Sequence, residues 1–108
     1  MVQLRALTQK YFPETAGVTQ NFFTQWCYAN ALVYAEGIKR AGKDLTREKF
    51  VDAMETLKDF DTNGILPKLS YGPQQRESAY SAKVLKGDLS KKDFVPVSDW
   101  AVPKFLKK

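Results

Sequence analysis

From Phe22 to Ile38 the sequence carries Phe22, Phe23, Trp26, Cys27, Ala29, Leu32, Val33, Tyr34, Ala35 and Ile38. Their spacing predicts one long helix running through Arg40, and these ten side chains leave little of its circumference polar. A helix apolar on so many sides wants partners on more than one face. With 108 residues that demand is hard to meet. A chain this long buries roughly 60–70% of the surface it exposes when unfolded, which allows one small domain or a piece of a larger one. Hydrophobic residues make up 44%, too many for a disordered chain, so the sequence folds.

The elements around this helix are legible from caps and periodicity. Gln3 to Tyr11 places Leu4, Leu7 and Tyr11 at helical spacing, and Pro13 closes that first helix. Pro13 to Thr19 reads as a loop, after which Thr19 or Asn21 caps the long helix. Lys39 and Arg40 occupy its last turn, and Gly42 supplies a left-handed C-terminal cap. Thr46 then caps a third helix ending near Lys58, with Leu45 and Phe50 at the spacing of a hydrophobic staple. Phe50, Met54 and Leu57 form its apolar stripe, backed by Val51 and Ala53, opposite Arg47, Glu48, Asp52 and Glu55.

From Asp59 the period changes. Asp59 to Gly64 is a polar turn, and Ile65 to Tyr71 reads as an extended segment that Pro67 confines to a sheet edge or a crossing. Beyond Gly72-Pro73, the alternation of Tyr80, Ala82 and Val84 predicts a strand. A turn at Lys86-Gly87-Asp88, a long Lys-rich connection and a second strand at Phe94 to Val97 complete a hairpin. The order is helices first and a short antiparallel hairpin afterwards, an α+β class.

Composition removes several functions. There is no His, so neither an imidazole-ligated metal site nor a triad with imidazole as base can be built. Cys27 is the single cysteine. It cannot form an intramolecular disulfide, and its apolar neighbourhood assigns it to packing. The start, Met1-Val2-Gln3-Leu4-Arg5, lacks the charged head and apolar middle of a signal peptide, and no run approaches a membrane span of about 20 residues. The net charge of +5 is mostly Lys scattered among acids, with a cluster at Lys104, Lys107 and Lys108. It reads as solvated surface rather than a nucleic-acid patch.

Local motifs add little chemistry. Asp59-x-Asp61-x-Asn63-Gly64 opens like an EF-hand loop, but the twelfth position is Ser70 where a bidentate Glu is needed, and Pro67 falls inside. A capped helix end running into a turn explains it, and no metal is expected. Asp59 and Asp61 lack a pocket that would separate their pKa values. Ser78, Ser81 and Ser90 have Lys83 or Lys91 nearby without the spacing of a nucleophile and its base. Gly37 and Gly42 lie at a helix end, so no phosphate loop is present. No catalytic residue and no cofactor are assigned. Phe22, Phe23, Trp26 and Tyr28 read by spacing as core. The helix N-terminus beside Phe22, Phe23 and Gln25 nevertheless offers amide donors to an anionic group.

Glu36-Gly37-Ile38-Lys39-Arg40-Ala41-Gly42, continuing through Asp44-Leu45-Thr46-Arg47-Glu48-Lys49-Phe50 and Ala53-Met54-Glu55-Thr56-Leu57-Lys58-Asp59-Phe60-Asp61, carries a family resemblance. It resembles the C-terminal part of type I extracytoplasmic solute-binding proteins of ABC transporters, the branched-chain amino-acid binding group. Gly64-Ile65-Leu66-Pro67 with Leu69-Ser70-Tyr71-Gly72 is similar to that family's last crossing between lobes, and Phe94 to Trp100 to its closing strand. The resemblance implies a fragment of a two-lobed α/β fold, with residues 1–64 from the helical part of the first lobe and 65–108 from the hinge crossing and second-lobe strands. It implies a non-enzymatic protein whose parent is periplasmic, captures an amino acid or similar small carboxylate, and passes it to an ABC permease. Phe23 falls where the family often places a cleft aromatic, with Phe22 and Gln25 beside it.

An over-apolar helix and strands without partners are both symptoms of a missing complement. The isolated chain is therefore expected to form a homo-oligomer or exchange its strand segment with a second copy. The alternative is a standalone α+β module for protein interaction or dimerisation. A basic nucleic-acid binder ranks behind both, and an enzyme comes last.

Overall fold

A computed structural model describes residues 2–17 and 21–104. Three helices precede a two-stranded antiparallel sheet, the α+β order expected. The backbone divides into two compact units, Met1–Ser78 and Ala79–Lys108.

In the first unit, α1 spans Val2–Tyr11. Only part of its expected stripe is inside. Leu4 and Thr8 are buried, whereas Leu7 and Tyr11 are exposed. Thr8 tolerates burial because its hydroxyl donates to the Leu4 carbonyl at 2.9 Å, leaving no unpaired polar atom. A 3-10 turn at Pro13–Thr15 follows.

The second helix, α2, spans Phe22–Ala41. Asn21 is its N-cap, its side-chain oxygen accepting from the Thr24 N–H at 2.9 Å. Thr19, the other cap considered, lies outside the described residues. Gly42 ends the helix with φ +82° and ψ −167°, its N–H donating to the Ile38 carbonyl at 3.2 Å. That is not the left-handed helical cap anticipated from sequence. It is an extended positive-φ conformation open essentially to glycine alone.

The third helix, α3, spans Arg47–Glu55, capped by the Thr46 hydroxyl, which accepts from the Lys49 N–H at 3.2 Å. It stops before the expected Lys58. The Thr56 hydroxyl donates to the Ala53 carbonyl at 2.7 Å, and Arg40 of α2 donates to both the Thr56 carbonyl and its hydroxyl at 3.1 Å. These bonds satisfy end-of-helix carbonyls that another turn would otherwise use. Leu57 is fully buried just past the helix, while Val51, expected to back the stripe, is exposed. Glu55 pairs with Arg76 at 2.6 Å.

The packing of α2 on α3 centres on Gly37. Far from lying idle near a helix end, it is buried inside α2. A Cβ built there would sit 2.6 Å from Met54 Sδ and 2.7 Å from Phe50 Cε2. Beside it, the rings of Tyr34 and Phe50 stack with centroids 5.9 Å apart and planes 9° apart. The Arg40 guanidinium also bonds Glu36 at 2.8 Å, and this hydrogen bond is the first cause holding the Glu36 carboxyl below its ordinary pKa.

Residues 65–71, expected as an extended segment, belong to no regular strand. One antiparallel bridge joins Phe60 and Leu69 through two backbone bonds of 2.8 and 3.0 Å. Between them the chain turns, with positive φ at Asn63 and Gly64 and the fully buried Thr62 hydroxyl accepting from the Leu66 N–H. Leu57, Leu69 and Pro67 are buried here. The Tyr71 N–H bonds the Leu57 carbonyl at 2.9 Å, and burial is the main cause raising the Tyr71 pKa.

In the second unit, β1 is Leu85–Asp88 and β2 is Asp93–Pro96, paired from Leu85 opposite Pro96 to Asp88 opposite Asp93. Lys86-Gly87-Asp88 is therefore strand, not turn. The reversal falls at residues 89–92, with Lys92 at φ +50°. Asp88 draws it there, its Oδ1 accepting from the Ser90 N–H, the Ser90 hydroxyl and the Lys91 N–H at 2.6–3.3 Å. The Ser90 hydroxyl bond leads the causes that lower the Asp88 pKa. Tyr80, Ala82 and Val84 do not make a regular strand. Ala82 bridges Ala101, and the Val84 carbonyl accepts from the Val97 N–H at 3.0 Å.

Two glycines give tests with different causes. Gly37→Ala improves helix propensity by about 0.5–1 kcal/mol, yet overpacks the α2–α3 contact at a cost of about 1–3 kcal/mol. It is expected to lower the urea midpoint, and an unchanged or raised midpoint contradicts the close approach. Gly42→Ala meets no neighbour but must hold positive φ, so it loses about 1–3 kcal/mol through the backbone alone.

Candidate functional site

The first turn of α2 gathers the chain's most exposed aromatic cluster among the described helices. Phe22 and Phe23 are each 69% exposed and Trp26 is 47% exposed. The core role that spacing assigned to them is not what the fold gives them. Phe22 and Trp26 are four residues apart on one helix face, and their rings stack at 6.0 Å with planes 27° apart. Phe22 and Phe23 meet edge-on at 5.7 Å and 73°. Both are preferred aromatic geometries.

Gln25 is half-buried in the same turn, its backbone N–H donating to the Asn21 carbonyl at 3.2 Å. The structure thus brings together Phe22, Phe23 and Gln25, with Trp26 added by stacking. Tyr28 leaves the group, its hydroxyl donating to Gln3 Oε1 of α1 at 3.5 Å. Cys27, assigned to packing from its neighbours, is exposed.

The electrostatic surroundings carry a signal that apolar counting missed. No charged residue occurs between Glu14 and Glu36, in a chain that is 27% charged. A cluster set in such a stretch has no side-chain charge from its own helix turn to complement an ionised group. It suits the apolar part of a small molecule.

Elsewhere the polar motifs serve the fold. Asp61 Oδ1 accepts from the Gly64 N–H at 3.0 Å, Asn63 Nδ2 donates to Gln3 Oε1 at 2.9 Å, and the Asp59 N–H donates to Ser70 Oγ at 2.9 Å. Among the described residues, no group of three or more His, Cys, Asp or Glu is arranged to hold a metal. Ser78 Oγ accepts from the Ser70 N–H and Ser98 Oγ from the Val84 N–H. No described helix is long and apolar enough to cross a membrane.

A second apolar feature lies toward the other end of α2. A groove of about 610 Å³ is lined by Tyr34, Ile38, Leu45, Thr46, Arg47, Phe50 and Val51. It includes both members of the staple read from sequence, Leu45 and Phe50. At 1.5 Å per residue it starts about 18 Å along the helix from Phe22, so the two surfaces are separate. The Thr46 hydroxyl in this lining is committed to the α3 cap.

Comparison with known proteins places the chain. The profile of the periplasmic binding protein family matches residues 3–86, more than three quarters of the sequence. Neither a curated protein nor a solved structure matches it.

The aromatic turn depends on its cap. Asn21→Ala removes the acceptor for the Thr24 N–H and is expected to cost about 1 kcal/mol. Faster hydrogen exchange at Thr24 and Gln25, with Val33 to Ala41 unchanged, is the expected readout. Unaltered exchange in that turn contradicts the role of Asn21.

Proposed function

The chain belongs to the periplasmic binding protein family, and from that membership we propose that it is a fragment of a two-lobed extracytoplasmic receptor. The parent captures an amino acid or related small carboxylate and delivers it to an ABC import permease, without catalysis. In this reading residues 1–64 supply helices of the first lobe, and residues 65–108 supply the hinge crossing and strands of the second.

Phe23 covers the apolar part of the solute, with Phe22 and Gln25 beside it. The observation that carries this reading is the family match over all three helices, joined to an aromatic cluster that stays exposed at the start of α2. A receptor of this kind gains affinity by closing two lobes around its ligand, burying most of the solute's surface. One interlobe surface alone binds weakly. The same shortfall leaves Phe94, Leu85 and Leu89 exposed on the hairpin. As an isolated chain it compensates by pairing with a second copy or exchanging its strand segment.

The test is a titration of the isotope-labelled chain with L-leucine, L-valine, their amides and aromatic carboxylic acids, followed by amide and aromatic NMR shifts. Millimolar binding is expected, with shifts concentrated at residues 22–26 and abolished by Phe23→Ala. Sub-micromolar binding by the isolated chain contradicts the need for a second lobe. Shifts confined to other residues, or none at the cluster, remove this turn as the solute-facing surface.

A further inference from the structure

The three aromatic side chains at the start of α2 do not share one orientation. Helical residues advance by about 100°, and the buried residues of α2, Ala29, Val33 and Gly37, define one stripe. Trp26 precedes Ala29 by three positions and Phe22 precedes it by seven, so both share its angular position on the helix, although at the helix start they are exposed. Phe23 stands about 100° off Phe22 and outside that stripe.

The rings follow the same division. Phe22 lies along Trp26 on one side, at 6.0 Å and 27°, and presents to Phe23 on the other, at 5.7 Å and 73°. Phe22 is thereby the middle ring of three, with an interaction on either side that fixes its plane. Phe23 is 69% exposed, and its ring contact in this cluster is the one with Phe22. A Phe on an exposed helical turn has two common χ1 rotamers, and an edge-to-face neighbour selects between them.

We propose that Phe22 is a positioning residue, which holds the ring of Phe23 for the solute while Phe22 itself is held by its stack on Trp26. Phe23 is then the aromatic side chain of the three that touches the solute. The assignment rests on the reading of this turn as the solute-facing surface. It separates two residues that sequence placed together in the site. The energetic reason is preorganisation: a ring already held in its binding rotamer does not lose that freedom when the solute arrives.

The experiment uses the 108-residue chain with L-leucine and L-phenylalanine as probes at saturating concentration. Isotope-filtered NOE spectra are expected to connect the probes to the Phe23 ring and not to the Phe22 ring. Phe22→Leu is expected to weaken both probes about 2–10-fold, and Phe22→Tyr, which keeps an aromatic edge, restores affinity. Exchange at the Thr24 amide stays unchanged in both variants, which a merely structural loss of the turn would not allow. Direct NOEs to Phe22 or Trp26, or unchanged affinity in Phe22→Leu, overturn the assignment and leave the solute-facing turn standing. Probe binding without an NOE to any of the three rings overturns both.

Discussion

At Gly37 the backbone of α2 comes so near Met54 and Phe50 that no side chain fits between. That approach seats Tyr34 flat on Phe50 and brings Arg40 within reach of the Thr56 carbonyl and hydroxyl that end α3. With α3 fixed against the later turns of α2, the earlier turns are left to other partners, and there Phe22, Phe23 and Trp26 remain exposed. The missing Cβ thus lies in the half of a 20-residue helix that its successor packs, away from the half that presents aromatic surface.

The parts of this arrangement written locally in the sequence were the parts that could be read. Asn21 and Thr46 act within one helical turn of themselves, and their roles follow from side-chain oxygens, while Gly42 ends α2 as expected but in an extended positive-φ conformation instead of a left-handed helical one. The α+β order follows from periodicity. What depended on distant partners was less visible. Leu7 and Tyr11 have the spacing of a buried stripe, but Leu4 and Thr8 occupy the inside instead. Residues 65–71 have strand composition and yet make a single bridge, because Thr62 and the positive-φ pair Asn63 and Gly64 fold that stretch back on itself. The hairpin slipped by several residues because an Asp88 carboxylate gathering three donors outweighs the turn propensity of Gly87. Gly37 follows the same logic, since only a neighbouring helix reveals why it must be small.

The site divides along the same line. Family resemblance pointed to Phe23 with Phe22 and Gln25, and the fold places all three in one turn with an aromatic stack that spacing alone assigned to the interior. Helix geometry supplies the distinction that composition lacked: Phe22 and Trp26 share the angular position of Ala29 and Val33, whereas Phe23 stands about 100° off Phe22. An uncharged run from Thr15 to Ala35 gives this surface an apolar character suited to a partner or to the apolar part of a solute. The chain that carries this exposed surface belongs to the periplasmic binding protein family.

Sedimentation velocity of the 108-residue chain from one to a hundred micromolar, with dye binding measured on the same samples, tests the pairing proposed for the isolated chain most directly. The account predicts self-association that rises with concentration and dye fluorescence that falls as the aromatic and hairpin surfaces become covered. A single monomeric species across that range, with negligible dye binding throughout, would contradict it.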